Sequence, residues 1–79
     1  MHKHPDNATL EDKALEYLKR VARPAYLGYI AIEIGQSLKR TTKVVDGLEE
    51  AGSVRYLTLV EKRALGADAS SVLCALVDS

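Results

Sequence analysis

Pro24, Gly35 and Gly52 cut the chain into short pieces, and that punctuation limits the elements it can form. A proline drives the residue before it out of the α region, and a glycine enters the left-handed region at no steric cost. Between these breaks the apolar residues recur at helical spacing. After Thr9, Leu10, Ala14, Leu18, Val21 and Ala22 share one face with Leu15 beside them. Thr9 followed by Asp12 is a short capping-box pattern, so a first helix is expected from Thr9 to Ala22. Gly28 to Ile34 reads as a second helix with Ile30, Ala31 and Ile34 inward, closed by Gly35. Ser37 caps a third, whose stripe is Thr41, Val44, Val45 and Leu48 and whose end is Gly52. Beyond it, "VRYLTLV" (54–60) and "SVLCALVD" (71–78) read as strands joined by the loop "EKRALGADAS". A short extended segment near Tyr26 is also expected. The class is mainly α with a small β-hairpin, α+β.

With 79 residues the chain is expected to hold one domain, residues 9–79, behind a flexible polar tail at 1–8. Cys74 is the single cysteine, which excludes an internal disulfide, a CxxC motif and a zinc site built on cysteine pairs. The opening residues contain no apolar core of a secretory signal, and no apolar run reaches the roughly 18 residues that span a bilayer. A cytoplasmic protein without membrane contact is expected. His2 and His4 fit a mobile tail better than a metal site. Cys74 sits in an apolar strand with no histidine outside the tail as its base, and the adjacent Glu49 and Glu50 point apart on their helix. There is no glycine-rich phosphate loop. No enzyme, metal or cofactor is expected.

Eleven bases balance eleven acids, so affinity for a charged partner has to come from local patterning. The third helix shows such a pattern, with Lys39, Arg40 and Lys43 in front and Glu49 and Glu50 behind. The helix dipole favours the opposite order. A phosphate partner explains the reversal, since free N–H groups at a helix start also attract anions. A solvated helix face is the plainer reading of these residues taken alone.

Ile30-Ala31, the turn glycine Gly35, the cap Ser37, the inward Thr41, Val45 and Leu48, and the closing stretch Leu48 to Val54 together resemble the helix-turn-helix of the winged-helix superfamily. The resemblance covers residues 9–78. It implies three helices followed by a two-stranded antiparallel wing, with the third helix in the major groove of duplex DNA. It also implies a small transcriptional regulator whose contacts are Ser37, Lys39, Arg40, Thr42 and Lys43, with Lys62 and Arg63 on the backbone from the wing. Gln36, Leu38 and Thr41 depart from the usual pattern, and the first two imply that Leu38 packs inward in place of Gln36.

Such folds also serve as protein-interaction modules, which is the alternative here. Tyr29 and Ile32 point outward from the second helix if Ile30, Ala31 and Ile34 point inward. Both faces of the hairpin are apolar: Tyr56 and Val60 lie opposite Leu57 and Leu59, and Val72, Cys74 and Leu76 opposite Leu73, Ala75 and Val77. A homodimer using Tyr29, Ile32, Tyr56, Val60, Val72 and Leu76 is expected. Cover of the second face by the first helix and the tail is the other reading.

Overall fold

A computed structural model describes residues 6–77. The chain is mostly helical with a small antiparallel sheet. The order is α1 (Asn7–Val21), β1 (Ala25–Tyr26), α2 (Leu27–Ile34), α3 (Leu38–Glu50), β2 (Val54–Tyr56), α4 (Leu59–Ala64) and β3 (Leu73–Leu76). Among the described residues no helix is long and apolar enough to cross a membrane.

α1 starts two residues before the expected Thr9. The Asp6 carboxylate is the cap, accepting the Thr9 N–H at 2.9 Å. Residues 6–8 therefore belong to the helix and its cap, and the rest of the expected tail, with His2 and His4, lies outside the described residues. The carboxylate outcompetes the Thr9 hydroxyl because an ionised acceptor binds free N–H groups and the helix dipole together. The same bond lowers the Asp6 pKa. α1 ends at Val21 through Ala22, whose φ is 54° and whose N–H donates to Leu18 O. A left-handed alanine costs about 1–2 kcal/mol, so the turn toward Pro24 is held by its surroundings.

α2 and α3 follow the expected punctuation. Gly35 has φ 68° and closes α2. The Ser37 hydroxyl accepts the Arg40 N–H at 3.1 Å and opens α3. The helices pack on one another around Leu10, Leu18, Ile30, Val44 and Val45, all at most 2% exposed. Thr41 sits in this core fully buried, its hydroxyl satisfied by donating to Ser37 O at 2.7 Å.

The region after α3 departs from expectation. The strand expected to reach Val60 stops at Tyr56, and the expected loop contains α4. Thr58 and Glu61 form a full capping box, each side chain taking the other's backbone N–H. That box sets a helix start where the alternating "LTLV" reads as strand. β3 is the central strand, with β1 antiparallel on one side and β2 antiparallel on the other.

Both faces of β3 are apolar, as expected, but the chain covers both. Cys74 joins the main core, with Leu76 packed against it. Leu73 and Ala75 form a second, smaller cluster with Leu57, and Ala67 packs on it. The connection between β2 and β3 supplies cover for the second face through Leu57 and Ala67.

Candidate nucleic-acid interface

α3 buries Thr41, Val44, Val45 and Leu48 and turns the opposite face to solvent. At 100° per residue the centre of that outer face is Lys39, Lys43, Asp46 and Glu50. The two lysines occupy its front and the acids its rear. The first turn holds no acid, and among the described residues Lys39 and Lys43 have no ion-pair partner. Thr42 flanks the lysines, half-buried. Its hydroxyl proton goes to Leu38 O at 2.8 Å, so its methyl is the group left for an apolar contact. Ser37 uses a lone pair for the cap and keeps its own O–H proton to donate.

Arg40, expected beside the lysines, stands at the edge of the face and is half-buried. It shares a flank with Gly47, where the Glu11 carboxylate of α1 approaches closely. Lys39, Thr42 and Lys43 are brought together on one surface, and Arg40 borders it.

The rear of the face is tied down by a neighbour. The Tyr56 hydroxyl donates to Asp46 Oδ1 at 2.6 Å, fixing β2 to α3. Burial first, and then this bond to a carboxylate, raise the Tyr56 pKa well above its usual value, so the phenol remains a donor. Tyr56 and Leu76, both expected in an outward interface, are partly buried and pack against the main core.

Lys62 and Arg63 were expected at the start of the loop between the two strands, and both sit on α4. The Lys62 ammonium donates to Ala69 O at 3.0 Å and to Ser71 O at 2.8 Å. It folds the return segment onto α4 instead of reaching outward. Arg63 is exposed. Arg55 pairs with Glu61 through two contacts, 2.7 Å and 2.6 Å.

Leu38 is corrected as well. It was expected inward in place of Gln36, yet it is 57% exposed while Gln36 is half-buried. With Tyr26, Tyr29, Ile32 and Val72 it lines a groove of about 600 Å³ beside the start of α3. Tyr29 and Ile32 point outward as expected, and Tyr29 packs edge-on against Tyr26 at 5.6 Å between ring centres. Val60 is also exposed, on α4. This groove was not foreseen as one surface. Its sequence signal was an apolar residue, Leu38, at the first position of a helix whose apolar stripe lies elsewhere.

Among the described residues there is no cluster of metal-ligating side chains. Cys74 is buried, and its thiol is pushed up to about 12 by that burial and by the charges of Asp46 and Glu49. It is therefore a protonated packing group and not a nucleophile. No family model matches this chain, and neither does any curated protein or solved structure.

Proposed function

We propose that this chain is a winged-helix protein that binds double-stranded DNA, with α3 entering the major groove, and that it acts as a small transcriptional regulator. The observation that carries the reading is the outer face of α3. Lys39 and Lys43 stand exposed at the dipole-positive end without an acid in the first turn, beside the free N–H groups of a Ser37-capped helix. That arrangement costs helix stability and gains only from an anionic partner. In this reading Ser37, Lys39 and Lys43 contact phosphate, Thr42 meets a thymine methyl, and Arg40 reaches a base or phosphate from the border. β2 and β3 stand for the wing, with α4 as its tip and Arg63 as its exposed base. Lys62 acts mainly to shape that tip. Zero net charge fits a small footprint with weak affinity away from the preferred site.

The test is fluorescence anisotropy with random-sequence duplex at several salt concentrations. Binding is expected to weaken linearly on a log–log salt plot. Each phosphate contact contributes a slope of about −0.9, so a Lys39→Ala, Lys43→Ala double variant should flatten the plot by about two units. Unchanged binding by the double variant, or none by the parent at low salt, would reject the reading.

A further inference from the structure

The groove beside α3 joins residues from three separate parts of the chain: Tyr26, Tyr29 and Ile32 from β1 and α2, Leu38 from α3, and Val72 from the segment before β3. All five are large and apolar or aromatic, and each is at least 39% exposed. No acid or base lines the groove. Together with Leu65, which shares a neighbouring pocket with Tyr26 and Tyr29, they expose on the order of 600 Å², at the upper end of the largest patch on an ordinary monomer.

We propose that this face is the two-fold interface of a homodimer. Three observations choose a second copy as the occupant. The patch approaches the roughly 800 Å² per partner of a standard interface, and its rim supplies the remainder. The groove lining itself carries no charge, so the centre of a self-complementary interface forms without like-charge repulsion and the charged residues stay at its border. Ile32, 78% exposed, stands on the wall of the groove, so a two-fold axis along that wall seats each copy's Ile32 in the other's groove. The groove lies open to solvent, so a small molecule in it would remain largely wet, whereas a protein surface covers it. Leu38 immediately precedes Lys39, so the dimer carries both copies' lysine pairs at the border of its seam. The proposal goes beyond the DNA reading and stands without it.

Sedimentation of the full chain over a wide concentration range tests it, with Ile32→Asp and Val60→Asp alongside. Val60 is 74% exposed, lies on α4 and does not line the groove, and it serves as the control. Both residues are exposed enough that far-ultraviolet circular dichroism should be unchanged. The parent is expected to form a dimer that dissociates on dilution. Ile32→Asp should raise the dissociation constant by about a hundredfold or more, because it buries a charge in each half. Val60→Asp should leave it alone. A parent that stays monomeric up to about 1 mM, a dimer that survives Ile32→Asp, or one that only Val60→Asp disrupts would each overturn the proposal.

Discussion

Glu61 does three things at once. It closes the capping box on Thr58, it pairs with Arg55 of β2, and it sits in the first turn of α4, where the dipole favours an acid. The Arg55 hydrogen bonds, followed by the Thr58 N–H, hold its carboxyl down at about 2 from an ordinary 4.5. The folded chain therefore binds this proton less readily than the unfolded one. The stability gained is complete above the unfolded value and is lost as pH falls toward the folded value. Carboxyl carbon NMR should place the Glu61 midpoint near 2 in the parent. In Arg55→Ala it should move upward, with the acid edge of stability moving with it. A parent midpoint near the ordinary value would mean that the pair is open in solution. Lys62, one residue on, ties α4 to the return segment, so the two neighbouring charged residues fasten opposite ends of one connection.

At the scale of elements, α2 and α3 were legible because short-range chemistry sets them. Gly35 and Ser37 act on their own neighbours, and the apolar stripe repeats at helical spacing. α4 was also written in the sequence, as Thr58 and Glu61 at capping-box spacing, but the alternating "LTLV" competes with it locally. The capping box is joined by the pair of Arg55 with Glu61, between a strand and a helix, and periodicity within one segment does not show that contact. The same limit applies to the site. Lys39 and Lys43 could be read as one face, whereas the groove at Leu38 depends on how α2 and the segment before β3 pack. Within α3, Gly47 is a mid-helix glycine whose added Cβ would meet the Glu11 Oε2 at 2.6 Å. That atom ends a flexible side chain and can swing away. Gly47→Ala should therefore raise stability by up to about 1 kcal/mol, seen as a higher midpoint in urea with an unchanged slope. A lower midpoint would mean that Glu11 is held where it is.

Across the whole molecule, α1, α2, α3 and β3 share one core, and a chain of 79 residues has little surplus to lose. Total stability on the order of 4–12 kcal/mol is expected for this length. Ile30, fully buried, is the sensitive position. Ile30→Ala should cost about 2–5 kcal/mol, a large share of the total, and denaturant unfolding would register it directly. The sheet adds a kinetic consequence. β1 and β2 are not neighbours in the sheet, and each is paired there with β3, the last strand among the described residues. Ala25 waits for Cys74, roughly fifty residues away, so the first strand gains its partner only after a long closure. The helices can form from nearby contacts while the sheet cannot. Refolding is thus paced by the arrival of β3, more slowly than the helical content alone would set it.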